Sequence, residues 1–400
     1  EREGEPPVVE PSPGRFVDLP RLAAARRPAL ERALGRLEAD PDRRGALDAW
    51  LASTPLALEY ARFRAHREGS GETGARLHAY VQWSMAQQLG MLGHEAAGRD
   101  QVLYFDLPIG AHREGFDVVH EGELFVRDAS VGAPPDDFFA GGQDWGFPPV
   151  HPHIARETGY AYFASCLEAH FRYARALRLD HAMGLHRLWM IAPAAAPGDG
   201  AYVRYAAEEQ WAVLCIEAAR HDATVIGENL GTVPPEANRA LRRHRALGMW
   251  VVEFEVPSDE HGVVHPPPAR DLACIETHDL PTFAAWWHDL APAPRGALLE
   301  ALRAAGELDT EYGELIAPES VLAAMLAWMG RSPAPVVQAS LEDLWLEPDP
   351  QNIPGADHQD GRFRQRFAYG LDELDTLDTV KNALERLDHA RRHPRRTSHA

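Results

Sequence analysis

The feature that most constrains this chain is a rhythm of short, continuously apolar runs alternating with helix-patterned segments. The runs are "QVLYFDLPIG", ending on Asp106, "RALRLDHAMG", on Asp180, and "ATVIGENLG", on Glu228. They continue with "GMWVVEFEV", "LACIETHDLP", ending on Asp279, and "APVVQASLEDLW". Helical patterns such as "GYAYFASCLEAHFRYA", "AEEQWAVLCIEAARH", "PPEANRALRRHRA" and "PESVLAAMLAWMG" separate most of them. Unbroken apolar strands are buried on both faces, which calls for a parallel sheet covered by helices. The fold class is therefore α/β, and in such folds chemistry gathers at the C-terminal strand ends.

The rest of the chain fits around this frame. Residues 1–16 are rich in Pro and Glu and are expected to be poorly ordered. Residues 17–98 read as a helical part. It closes on one long helix, "ARLHAYVQWSMAQQLGMLGHEAAG", with Leu77, Tyr80, Val81 and Met85 on an apolar stripe. The strands occupy residues 99–390. Within them, residues 111–157 have loop composition, including "SVGAPPDDFFAGGQDWGFPPVHPH", and a long loop at the active face is often functional. Residues 391–400 read as a solvated basic tail.

Charge and residue counts exclude several functions. Sixty acidic residues against forty basic ones give a net charge of −20, which repels nucleic acid and anionic membranes but is indifferent to neutral sugars. Lys381 is the one lysine, so a Schiff-base or P-loop lysine has no other candidate. Cys166, Cys215 and Cys274 form no C-x-x-C pair and are expected to be buried thiols in a reducing cytoplasm. No signal peptide or membrane-length apolar run is visible, and no Gly-rich nucleotide loop, so no cofactor is expected. His151 and His153 in "HPH" lack a third ligand and are assigned to the surface or to sugar contact rather than to a metal. Glu253 and Glu255, near the fourth strand's end, are expected to be ion-pair partners.

Asp180, Glu228 and Asp279 are the central constellation. They lie 48 and 51 residues apart and so end different strands. Each acid alone is equally well a helix cap or a structural ion-pair partner. Three acids on one sheet edge repel each other, and glycosidic bond exchange is the chemistry that best uses them. One carboxylate attacks the anomeric carbon, another protonates the leaving oxygen from roughly 5 Å away, and a third stabilises the cationic sugar. Arg178, two residues before Asp180, shares its face of the strand and would keep Asp180 ionised. Glu228 follows the apolar "TVIG", where burial would raise its pKa as an acid requires. His278, beside Asp279, is a candidate donor to sugar hydroxyls.

The motifs "ALRLDHAMGLHRLWMI", "VIGENLGTVPPE" and "ETHDLPTFAAWW" resemble the signature regions of the 4-α-glucanotransferases (amylomaltases, or disproportionating enzymes) of the α-amylase clan. "DLPIG", "SVGAPPDDFFAGGQDWGFPP", "HAYVQWSMAQQL" and "LEDLW…QNIPG" match in the expected order, from about Val17 to about Leu387. The resemblance implies a (β/α)8 TIM barrel that moves α-1,4-glucan segments between maltodextrins, with glucose or maltodextrin as acceptor. It implies Asp180 as nucleophile, Glu228 as general acid/base and Asp279 as transition-state stabiliser. It further implies substrate contacts from Arg178, His278, Asp106, Asp136, Gln143, Trp145 and Asn352. A long loop around Trp145 would shield the intermediate from water.

Three departures from the family stand out. Asn229 replaces the usual Asp in "GENLG", removing a charge beside Glu228. Arg362-Phe363 stands where Asn-Trp is usual, which puts an acceptor-side or packing contact in question. The two strands that open the family barrel are not found before Leu19. Six strands are legible where eight close such a barrel, so an N-terminally truncated chain is expected. Two alternatives carry over: an α-glucan hydrolase of the same clan, and a non-catalytic glucan-binding remnant. Oligomeric state is not legible.

Overall fold

The computed structural model describes residues 14–136, 139–256, 263–309, 316–352 and 363–393. They fall into two compact units. The first contains the described residues up to Leu177 together with Arg187–Ala223, and the second contains Arg178–His186 and the described residues from Thr224 onward.

Four helices open the first unit: α1 (Leu19–Ala39), α2 (Pro41–Ser53), α3 (Pro55–Glu68) and α4 (Gly71–Ala97). Their starts follow from side-chain chemistry. The Asp18 carboxylate accepts the Arg21 N–H at 3.0 Å, and that of Asp40 accepts the Asp42 and Arg43 N–H groups. Pro41 and Pro55 open α2 and α3, where a missing N–H costs nothing. Leu37, Leu47, Leu51, Ala61, Leu77 and Tyr80 bury together among these helices. The stripe along α4 ends early, since Val81 is partly buried and Met85 is 53% exposed. With 27 residues against the 14 of α3, α4 outruns the helix before it.

The unit continues with β1 (Tyr104–Leu107), α5 (Phe116–His120), β2 (Ser130–Ala133), β3 (Gln143–Asp144), α6 (Pro152–Glu157) and α7 (Ala161–Phe171). Then come β4 (Ala176–Leu179), β5 (Arg187–Ile191), β6 (Ala201–Arg204) and α8 (Ala207–Arg220); the unit boundary falls inside β4, after Leu177. The Leu103 carbonyl accepts the N–H groups of Arg175 and Ala176, so β4 starts beside β1. An antiparallel sheet runs in the order β3-β2-β5-β6, with Val131 opposite Met190 and Gly132 opposite Asp144. Residues 111–157 are thus not all loop. Strands of two and four residues are too short to show an alternation, and their partner β5 is distant in sequence. Glycine is obligatory at 132, because a Cβ there would lie 1.9 Å from the Gln143 carbonyl oxygen.

The "HPH" histidines have a structural explanation. Nδ1 of His151 accepts the His153 N–H at 3.2 Å and caps α6. Among the described residues no group of three His, Cys, Asp or Glu is placed to hold a metal.

In the second unit, the end of β4 is followed by β7 (Thr224–Gly227), α9 (Pro235–His244), β8 (Gly248–Val251), α10 (Val252–Glu255) and β9 (Asp271–Cys274). Then come α11 (Phe283–Asp289), α12 (Pro292–Ala304), α13 (Pro318–Arg331), β10 (Val336–Val337) and α14 (Asp378–Arg392). β8, β9 and β10 are parallel, with Val251 opposite Cys274 and Val337 opposite Ala273. Ile226 of β7 bridges in parallel to Leu247, and the Glu228 N–H reaches the Leu179 carbonyl at the end of β4. A strand coincides with each of the six runs read from the sequence, as β1, β4, β7, β8, β9 and β10, with β9 starting one residue earlier. The fourth is shorter than expected: after Val251 the chain turns into α10, because an apolar run does not by itself distinguish a strand from a buried helical turn.

The core of this unit surrounds α13, whose residues Val321–Gly330 are all buried. A helix apolar on every side needs partners on every side. Phe283 is fully buried in the same cluster, stacks on Trp287, and its N–H donates to Asp343 at 2.8 Å. Phe283→Ala is expected to cost about 3–5 kcal/mol of stability, measurable by urea denaturation.

Lys381 lies exposed on α14. The three cysteines form no disulfide; Cys274 is buried, whereas Cys166 and Cys215 are only half-buried. Of the expected N-terminal segment and basic tail, residues 1–13 and 394–400 lie outside the described residues, as does Arg362. Among the described residues no helix is long and apolar enough to cross a membrane.

Candidate active site

Three strand ends of the second unit build the site. Asp180 directly follows β4, Glu228 directly follows β7, and Asp279 lies five residues beyond β9. Arg178 is 7% exposed, and its Nη1 pairs with Asp180 Oδ1 at 2.9 Å. Both side chains leave the same face of β4, as their two-residue spacing requires.

His181 then adopts a left-handed backbone with φ 45°, uncommon for a residue with a Cβ. This turn aims its N–H at Glu228 Oε2, at 2.7 Å, while the Leu230 N–H reaches Oε1 at 3.2 Å. Glu228 is also fixed through its backbone, its N–H donating to Leu179 and its carbonyl accepting from Ala182. Gly227 allows this approach, since a Cβ there would meet Leu241 at 2.5 Å and Ala182 at 3.0 Å.

The electrostatics separate the acids. Burial, and then the charge of Asp180, pushes Glu228 up to about 7, against the opposing pull of Arg178 and the two N–H groups. Asp279 ends below the ordinary carboxylate range. Burial pushes it up, but His278, Asn352 and Arg178 outweigh that push. His278 Nε2 lies 3.2 Å from Asp279 Oδ2, and Asn352 Nδ2 donates to Oδ1 at 2.6 Å. The Asp279 N–H leans on Thr277 Oγ1 at 3.4 Å. One carboxyl thus titrates near neutrality while a neighbour stays charged, the division of roles that acid catalysis requires.

The structure brings Arg178, Asp180, Glu228, His278, Asp279 and Asn352 together in one unit. The other sequence-predicted contacts lie in the first unit. Asp106 is exposed on β1. Asp136 Oδ1 accepts the Phe139 N–H at 2.6 Å. Trp145 is half-buried, stacks on Phe147, and its indole N–H reaches Gln143 Oε1 at 3.4 Å.

Sequence reasoning missed the two N–H donors to Glu228, because main-chain groups leave no trace in residue type. Phe363, flagged in the sequence as a departure from the family, presents an exposed ring 5.8 Å from that of His278, on a backbone with φ 51°. Glu253 corrects the ion-pair expectation. Its Oε1 is buried without a hydrogen-bond partner among the described residues. Burial, then Glu276 and Asp343, pushes this carboxyl to about 9.

The model of the 4-alpha-glucanotransferase family, Glyco_hydro_77, matches residues 71–370. A 4-alpha-glucanotransferase of Haemophilus influenzae is 37% identical over 212 residues, covering 52% of this chain and 30% of the relative. One from Mycobacterium tuberculosis is 33% identical over 306 residues, covering 70% of this chain and 42% of the relative. This chain therefore spans less than half the length of these two curated relatives. Among solved structures, the amylomaltase of Corynebacterium glutamicum superposes with a TM-score of 0.82 at 23% identity, over 93% of this chain and 60% of that one. The amylomaltase of Streptococcus agalactiae, solved in complex with acarbose, also superposes at 0.82, with 21% identity, over 95% and 81%. These likenesses show the fold, the (β/α)8 TIM-barrel fold of the amylomaltases. With strand-end acids in place, the fold shared and the family model matched from residue 71 to residue 370, this chain belongs to the 4-alpha-glucanotransferase family.

Proposed function

We propose that this chain carries the catalytic centre of a retaining 4-α-glucanotransferase that passes α-1,4-glucan segments between maltodextrins. Asp180 attacks the anomeric carbon as the bond to the departing O4 breaks, and Glu228 gives its proton to that oxygen. The acceptor, glucose or another maltodextrin, then surrenders its 4-hydroxyl proton to Glu228. Its oxygen takes the anomeric carbon, and the Asp180 ester is released. Asp279 faces the cationic sugar in both steps. Arg178, His278 and Asn352 hold these acids and contact sugar hydroxyls. Asp106, Asp136, Gln143 and Trp145 are assigned to glucan contact on the family resemblance. The residues need no cofactor for this chemistry. Three cysteines that form no disulfide suit a cytoplasmic enzyme.

One observation carries the proposal. The Glu228 carboxyl is held at 2.7 Å by the peptide N–H that immediately follows Asp180, and its pKa is raised to about 7, so it keeps a transferable proton up to neutrality. The test is incubation with maltotriose and chromatography of the products. A ladder of shorter and longer glucans is expected, with little new reducing sugar. Transfer should decline as pH rises past about 7, where Glu228 loses the proton it must donate. Reducing sugar without longer products would favour the hydrolase. Glucan binding without any product would favour the non-catalytic remnant.

A further inference from the structure

The strand pairing beside Glu228 is completed by a side chain. Main-chain bonds join β7 to the chain entering β8 through Leu247 N–H to Val225, at 2.9 Å, and Gly227 N–H to Leu247, at 2.8 Å. The parallel bridge is between Ile226 and Leu247. One step on, the Met249 N–H donates to Oδ1 of Asn229 at 2.8 Å. Nδ2 of the same amide donates to Oδ1 of Asn238, on α9, at 2.8 Å. The Asn229 amide therefore stands in for a rung of the ladder, with both ends engaged. Its place is tight, since a Cβ on Gly248 would sit 3.0 Å from Asn229 Oδ1.

This arrangement holds Glu228 from two sides. Its own peptide is bonded to Leu179 and Ala182, and the next residue's side chain is bonded to β8 and α9. An amide keeps its oxygen toward Met249 only while its nitrogen has an acceptor, and Asn238 supplies it. The usual family Asp at 229 could only accept from Asn238, so the direction seen here, 229 donating and 238 accepting, belongs to the amide. We propose that Asn238 is a positioning residue for Glu228, acting through Asn229 to fix the acid's strand end. The inference rests on Glu228 being the acid/base.

The test is a cycle of Asn238→Leu, Asn229→Ala and the double variant, assayed by maltotriose disproportionation. Asn238→Leu is expected to lower kcat roughly tenfold, the scale of one lost hydrogen bond, with KM changed less than about twofold. The double variant should be no worse than Asn229→Ala alone, because the two residues act as one unit. Asn238→Asp keeps the acceptor and should retain kcat within about threefold. A second readout needs no activity: the 13C NMR titration of the Glu228 carboxyl, assigned through Glu228→Gln. Its midpoint should fall in Asn238→Leu as the loosened turn admits water, and rise in Asn238→Asp, which adds a charge nearby. Additive losses in the cycle with an unmoved midpoint would overturn the role of Asn238. So would a loss in Asn238→Asp as large as in Asn238→Leu. A Glu228→Gln variant with undiminished transfer would instead overturn the acid/base assignment, and the NMR result would still decide the positioning role.

Discussion

Asp180→Asn is expected to abolish glucan transfer while leaving the fold intact. The carboxamide matches the carboxylate in size but cannot form the glycosyl ester. Loss of a covalent nucleophile lowers kcat by on the order of 10^4-fold or more. Arg178, almost fully buried, also loses the partner it holds at 2.9 Å. Because the Asp180 side chain is 25% exposed, water softens that loss, and about 1–3 kcal/mol of stability should disappear. Far-UV circular dichroism and a thermal melt check the fold, and maltotriose chromatography checks transfer. Equal disproportionation by the variant and the parent would refute the assignment.

Glu228→Gln carries the second large effect, and it has two signatures. Kinetically, removing a general acid should lower kcat by about 10^2- to 10^4-fold for glucan donors. An α-glucosyl fluoride donor needs no protonation to depart, so its first step should be largely spared. Thermodynamically, the native carboxyl titrates near 7 against an ordinary value of 4.5, so native Glu228 resists ionisation that the unfolded chain accepts. Its contribution is fully present below about 4.5 and is lost as pH rises through 7. Glu228→Gln should therefore match the parent in stability at pH 4 and exceed it above pH 7, by at most about 3 kcal/mol. Urea denaturation at the two pH values measures this. A stability gap independent of pH would mean that Glu228 titrates normally.

Legibility from sequence followed the range of the interactions. The strands β4, β7, β8 and β9 were readable because burial on both faces leaves an unbroken apolar run. Asp180 and Glu228 were readable because they directly follow such runs. Arg178 was readable because a two-residue spacing fixes its face. The antiparallel β2–β3–β5–β6 sheet was not, since its strands are short and its pairings join residues up to about sixty positions apart. The turn of "VEFE" into a helix was hidden by β-prone composition. Asp279 was read as a strand end, although β9 stops five residues before it, and its partner Asn352 lies 73 residues away, a distance no periodicity spans. The backbone donors of His181 and Leu230 depend on a left-handed turn that residue type does not announce.

The central claim is that Asp180 attacks one anomeric carbon while Glu228 protonates the oxygen leaving that carbon. It is tested most directly by incubating the protein with a 5-fluoro-α-glucosyl fluoride, which forms a glycosyl ester but turns it over slowly, and by mapping the label with peptide mass spectrometry. The expected result is one glucosyl adduct, carried by Asp180 and forming at a similar rate in Asn238→Leu, since fluoride departs without an acid. Label on another carboxylate, or transfer proceeding with inverted stereochemistry and no adduct, would contradict the assignment.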